Sequence, residues 1–237
     1  MTQTLLNAPS FGRVRVAIGK ALYWHYKLFL KKKHADVVLE RVDDSRVLVV
    51  PGVLNPRLMR TGAFFASQLN SGLLHSDADV LDMGAGSGIC SVVAARYARH
   101  VVAVDINPES VRCTRINTLL NRVDDKVEVL RGDLFEPLAG RRFDFVLFNP
   151  PFLRRAPRDD ADRAWASLDV PERFAASLAA HLNPGGAALL LLSSFGDANM
   201  FLDPLRGQGF AVSELAGREF VNERLAIFKI VPTQRLS

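Results

Sequence analysis

The chain has 237 residues, 49% apolar, 23% charged and 8% aromatic. That excludes a disordered tail or a fibrous repeat and fits a globular protein that folds without disulfides or metal. Net charge is +5, yet residues 1–35 hold seven lysines and arginines and no acid, so the rest carries a slight negative excess. The two cysteines, Cys90 and Cys113, are too few for a disulfide framework or a four-ligand zinc site; they read as buried thiols.

Residues 1–12 read as a loose terminus. Residues 13–33 read as a helix, with Arg13, Lys20 and Lys27 seven apart and so on one face. The segments ADVVLERV and SRVLVV alternate around Asp43-Asp44-Ser45, which predicts a hairpin. PGVLNPRLMR reads as an ordered loop and Thr61 to Leu73 as a helix. Residues 1–75 form an expected N-terminal extension, and 76–237 the main domain. From residue 79 strands and helices alternate: DVLDM, a glycine-rich turn and helix 88–98; HVVAVD and helix 107–121, with Asn107 as cap and Pro108 as first residue. KVEVLR and FDFVLF follow, then helix 171–182, stopped by Asn183-Pro184-Gly185-Gly186, and strand AALLLLSS. A helix near 197–207 precedes strands near 209–216 and 224–231. The expected fold is α/β: a doubly wound, mostly parallel seven-stranded sheet with an antiparallel C-terminal hairpin and an N-terminal helix-plus-hairpin extension.

Asp82-Met83-Gly84-Ala85-Gly86-Ser87-Gly88 lies between a strand and a helix. Glycines there let the backbone turn sharply and approach a ligand. The spacing is G-x-G-x-G; a dinucleotide fingerprint would need glycine where Ile89 stands. Asp82 at the loop entrance suits a cationic or amino-bearing ligand. Asp105 ends the next strand, where a carboxylate can accept both hydroxyls of a ribose. Asp133 ends the third, where it can accept from an adenine amino group. Asn149-Pro150-Pro151-Phe152 ends the fourth. The Asn149 side-chain oxygen and the Pro150 carbonyl can accept from one NH2 group, the prolines stiffen the aim, and Phe152 offers a flat face. Such a grip orients a nitrogen lone pair toward an electrophile. The histidines His25, His34, His75, His100 and His181 show no ligand spacing, so no metal is expected, and no nucleophile–base pair stands out.

In these residues the chain resembles class I methyltransferases that use S-adenosyl-L-methionine. The NPPF tetrad is similar to that of the amino-methylating members, and residues 45–231 look most like the HemK-like group, the release-factor glutamine methyltransferases and their relatives. Pro51 to Leu69, Arg163-Ala164-Trp165 and Asn222-Glu223-Arg224-Leu225 add to the likeness. The chain departs from the group in having Phe152 where tyrosine is commoner, in the charged loop 153–163, and in residues 1–35, which do not match the release-factor enzymes' helical substrate domain. The resemblance implies a Rossmann-like methyltransferase fold and an EC 2.1.1 enzyme. It implies that Gly84 and Gly86 pass under the methionine part of the cofactor with Asp82 near its amino group, and that Asp105 holds the ribose. Asp133 and Leu134 would meet the adenine, with Ala85 and Ile106 as further contacts. Asn149, Pro150 and Phe152 become the catalytic candidates, with Asn149 also touching the cofactor. Arg60, Thr61, Phe152 and Trp165 are candidates for the substrate side.

Three functions fit the sequence. The first is an N-methyltransferase acting on a protein glutamine or an RNA base, with the basic arm drawing a polyanion through counterion release. The second is a small-molecule methyltransferase with residues 1–75 as a lid. The third is a cofactor-binding module without catalysis. No apolar run reaches the roughly eighteen residues of a membrane span, and the N-terminus lacks the order of a secretory signal, so a cytoplasmic location is expected. The oligomeric state is not legible in the sequence.

Overall fold

The computed structural model describes residues 36–158, 162–221 and 223–233. The basic arm, the helix expected over 13–33, and His25 and His34 lie outside the described residues.

The hairpin forms where the alternation places it. Strands β1 (Val38–Val42) and β2 (Ser45–Val49) pair antiparallel, Val38 opposite Val49 and Val42 opposite Ser45. Asp43, with φ of 48°, turns the chain, as a two-residue hairpin loop requires. The stretch read as a loop holds a one-turn helix, α1 (Pro56–Met59), because Asn55 accepts from the backbone N–H groups of Arg57 (2.9 Å) and Leu58 (3.2 Å), and Pro56 fits the first helical position. Helix α2 (Thr61–Gln68) stops short of the expected Leu73. Asn70 ends it, its carbonyl accepting from Leu73 N and Leu74 N while its side chain accepts from Gly72 N.

Strand β3 (Asp79–Met83), helix α3 (Ile89–Ala94), strand β4 (His100–Asp105), helix α4 (Pro108–Leu120), β5 (Val127–Arg131) and β6 (Phe143–Phe148) follow in order. Helix α3 is shorter than the expected 88–98. Helix α4 matches its expectation closely, with Asn107 capping Glu109 N. After β6 come two-residue strands that the sequence did not announce, β7 (Leu153–Arg154) and β8 (Ala166–Ser167), paired parallel. Then come α5 (Val170–Leu178), β9 (Leu182–Ser193), α6 (Asn199–Gly207), β10 (Phe210–Glu219) and β11 (Arg224–Pro232). The expected stop at Asn183-Pro184-Gly185-Gly186 is instead the irregular start of β9. Helix α5 ends earlier, in a 3-10 turn over Ala179–His181, and a register shift between Phe143 and Phe145 absorbs the prolyl-glycyl segment.

The seven-stranded sheet runs β10-β11-β9-β6-β3-β4-β5, with β11 antiparallel and the others parallel. Its central strands bury both faces. Val80, Val101, Leu147, Leu189 and Ile227 face a core shared with the hairpin, α2 and α3. The alternate residues Leu81, Val102, Val146, Leu190 and Phe228 face a second core with α5 and α6. Doubly covered parallel strands read as unbroken apolar runs for this reason. The hairpin is tied in by polar groups as well. Asn117 on α4 accepts from Leu48 N (2.7 Å) and donates to Leu48 O (2.7 Å), and Asn121, one turn on, does the same for Arg46 (3.1 and 2.7 Å). Two helix amides thus satisfy the backbone groups that a neighbouring strand would otherwise pair.

Candidate functional site

Strand order turns at β3, which has β4 on one side and β6 on the other. Ligands of open α/β sheets lodge in the crevice beyond the carboxyl ends at such a point. Here the crevice is a cavity of about 580 Å³.

Its floor is the glycine loop. Gly84 and Gly86 have φ of 66° and 58°, a region costly for residues with a Cβ. Gly84 lies 3.6 Å, measured from where a Cβ would sit, from the Phe148 ring. Gly88 has a different task. A Cβ there would stand 2.7 Å from Thr114, so this glycine lets α3 press against α4 and does not line the cavity. Ala85 does line it.

Asp82, in β3, is 4% exposed and accepts from Ser91 Oγ. Burial pushes its pKa up to about 7, against the lowering effect of the Ser91 bond and with help from the charge of Asp105. Among the described residues it has no ion-pair partner. Asp105, at the end of β4, accepts from Gly86 N (2.8 Å) and Asn107 N (2.9 Å), which fixes the glycine loop to the next strand. Burial raises its pKa, and hydrogen bonds from the backbone of Asn107, Gly86 and Ile106 and from the Ser110 side chain pull it back. Ile106, beside it, also lines the cavity.

Asp133 and Leu134 close the β5 side. Leu134 adopts φ of 51°, and Asp133 Oδ2 lies 2.9 Å from Nη1 of Arg173 on α5. The opposite wall is Asn149-Pro150-Pro151-Phe152. Asn149 Nδ2 donates to Thr61 Oγ1 at 3.3 Å, so its Oδ1 is the end left to accept. The Phe152 ring meets Trp165 edge-on, centroids 5.4 Å apart. Trp165 is held over the cavity by the strand pair that follows β6, where Leu153 N donates to Trp165 O at 2.9 Å. Thirteen sequence candidates therefore share one cavity. Arg60 does not line it. Its left-handed backbone (φ 62°) joins α1 to α2, and its guanidinium lies 5.0 Å from the Phe220 ring centroid.

Sequence reasoning passed over several lining residues. Leu54, Met59 and Phe195 are apolar and carry no motif. Arg173 lies in an amphipathic helix that signals only packing. Glu223, 7% exposed, accepts from Ser193 Oγ, and burial raises its pKa against that bond and the charge of Arg60. No helix among the described residues is long and apolar enough to cross a membrane.

The profile of the methyltransferase small domain family matches residues 46–215. The chain belongs to this family. A Methanocaldococcus jannaschii relative, named "Putative protein N5-glutamine methyltransferase", is 33% identical over 149 residues, 59% of this chain and 74% of that protein. Ribosomal RNA small subunit methyltransferase C of Alcanivorax borkumensis is 32% identical over 155 residues, 65% of this chain and 44% of its own length. A 16S rRNA N2 methyltransferase of T. thermophilus, solved with AdoMet and guanosine, shares the fold with a TM-score of 0.60 at 24% identity, covering 81% of this chain and 49% of that one. The chain thus spans less than half the length of these two RNA-modifying proteins. As a member of this family it is a methyltransferase that uses S-adenosyl-L-methionine. The residues present fit that cofactor: the buried acid Asp82, with no ion-pair partner among the described residues, suits its ammonium, and the space above Gly86, where a Cβ would meet only Gly84 O at 3.9 Å, leaves the backbone open to a close approach.

Proposed function

We propose that the chain is an N-methyltransferase of the HemK-like, NPPF-bearing kind, acting on a planar nitrogen of a macromolecule, either a glutamine amide or the exocyclic amine of an RNA base. The observation that carries this reading is the Thr61–Asn149 hydrogen bond at the mouth of the cavity. It turns the Asn149 NH2 group toward Thr61 and leaves Oδ1 to accept, together with the Pro150 carbonyl, from the NH2 group of an acceptor. Two acceptors on one NH2 group hold it by its protons and leave its lone pair to point away from them. Phe152 and Trp165 supply apolar surface for a flat amide or base. The cofactor supplies an activated sulfonium methyl group, so orientation is the main demand on the protein.

In this reading Asp82, Gly84, Ala85 and Gly86 hold the methionine part of the cofactor, Asp105 and Ile106 the ribose, and Asp133 and Leu134 the adenine. Residues 36–75 act as a wall on the acceptor side, since Thr61, Pro56 and Met59 come from this segment. The names of the relatives support the acceptor class: one concerns a glutamine nitrogen and two concern ribosomal RNA. The seven positive charges of residues 1–35 support capture of a polyanion.

The test is transfer of labelled methyl from the cofactor into fractionated cell extract, with protein, RNA and small molecules counted separately. Label in protein or RNA is expected. Label confined to small molecules would turn the assignment to a metabolite methyltransferase, and no transfer to any fraction would turn it to a cofactor-binding module.

A further inference from the structure

Arg173 is bound to three acids at the β5 side of the cavity. Its Nη1 lies 2.9 Å from Asp133 Oδ2 and 3.8 Å from Asp169, and its Nη2 lies 3.4 Å from Glu136. An ion pair on an open surface holds its geometry poorly. This one is anchored at both ends. Phe174, the next residue, is fully buried and packs against Phe135, two residues beyond Asp133, with ring centroids 5.6 Å apart; it also meets Phe148 at 4.8 Å. The left-handed Leu134 between Asp133 and Phe135 fixes the turn that joins them. One aromatic cluster therefore positions the guanidinium and the carboxylate together, and both side chains line the cavity.

We propose that Arg173 is a positioning residue for Asp133, and that the pair makes the site select a 6-amino over a 6-oxo purine in the cofactor. The inference rests on the cofactor reading of the cavity. The guanidinium occupies Oδ2 and holds the carboxylate in one orientation. A carboxylate only accepts, so the other oxygen suits an NH2 donor. A 6-oxo purine, presenting an acceptor at that position, would set lone pairs against lone pairs. Sites built to bond a donor reject analogues that lack it far more strongly than apolar pockets reject a missing methylene.

The experiment is calorimetry of the full chain with three probes: S-adenosylhomocysteine, S-inosylhomocysteine and the base-free S-ribosylhomocysteine. The wild type is expected to bind the adenosyl compound at least about tenfold tighter than the inosyl compound. Arg173→Gln should lose most of that preference while its affinity for the ribosyl compound and its melting temperature stay put. Arg173→Lys should retain part of the preference. Asp133→Asn, whose amide can donate to a 6-oxo group, should narrow or reverse it. An Arg173→Gln protein with the wild-type preference, or a wild type with no preference, would overturn the proposal. A wild type that binds none of the three would overturn the cofactor reading itself.

Discussion

Asp82 and Asp133 stand at the same edge of the sheet and differ in nearly everything that sets their charge. Asp82 is buried at the base of the cavity, with a serine hydroxyl for a partner and a pKa pushed up to about 7. Asp133 stands at the rim of the cavity against a guanidinium. The β5 side carries a positive charge of its own beside its acid, and among the described residues the β3 side does not. In the proposed cofactor reading one residue type would serve two tasks, charge neutralisation at one end of an elongated ligand and hydrogen-bond reading at the other. The surroundings make the difference: depth below the surface for Asp82, and the guanidinium of the adjacent helix α5 for Asp133.

The largest expected effect lies outside both acids and sets the baseline for them. Asn149→Ala should reduce turnover by about 10²-fold or more while cofactor affinity by calorimetry stays near wild type, because the proposed main role of the lost group is to orient the acceptor nitrogen. A fully active variant would show the tetrad to be a structural stop.

The pH dependence of cofactor binding probes the β3 side. A cationic amino group favours ionised Asp82, so affinity should be fully developed above pH 7 and should fall below it, toward about tenfold per pH unit at the limit. Stability of the cofactor-free protein should run the other way. A folded pKa above the unfolded value means that the folded state holds more protons between about pH 4 and pH 7, so stability drops as pH rises through that window. Asp82→Asn should therefore bind cofactor more weakly at pH 8 yet melt higher than wild type without it, and the gain in melting temperature should vanish near pH 4. A cofactor affinity unchanged from pH 8 to pH 6 would break the contrast between the two acids.

The glycines offer a finer test. Gly88→Ala drives a Cβ into Thr114 at a positive φ and should cost about 1–3 kcal/mol of stability. Gly86→Ala meets only an ordinary contact, Gly84 O at 3.9 Å, at a similar φ, so it should lower the melting temperature less and weaken cofactor binding more. Equal effects of the two on both readouts would mean that the loop does not divide its work. The smallest effect on cofactor binding is expected behind the loop. Asn117→Ala takes the side-chain acceptor from Leu48 N and a donor from Leu48 O and Ser87 O, and should cost about 1–2 kcal/mol, seen as a few degrees in melting temperature with a smaller loss of cofactor affinity than Gly86→Ala.

The fold was legible where local pattern and burial agree. The hairpin, the alternating strands and helices, the cap at Asn107 and the antiparallel end could be read because sheet burial imposes apolar runs, and turns demand Gly, Pro, Asn and Asp. The misread boundaries share a cause. Asn183 to Gly186 carry the chemistry of a stop, but the backbone of β6 pairs with β9 across them; α2 ends early because Asn70 captures the following N–H groups. The order in which the three acids and the NPPF tetrad follow successive strands was likewise open to the sequence, because parallel strands bring all their carboxyl ends to one edge.

What the chain order could not determine is what each group meets there. Thr61 lies 88 residues from Asn149, and Arg173 lies 40 residues from Asp133. No periodicity joins such partners, since each pairing depends on how a helix packs across the sheet. Arg60, Asp82 and Asp133 could be named from the sequence as charged residues near motifs. Only the packed structure decided that Arg60 turns to an aromatic ring outside the cavity, that Asp82 is buried at the base of the cavity, and that Asp133 is held by a guanidinium. Charge state and orientation come from burial and from neighbours distant along the chain, and those exist only once the layers have closed.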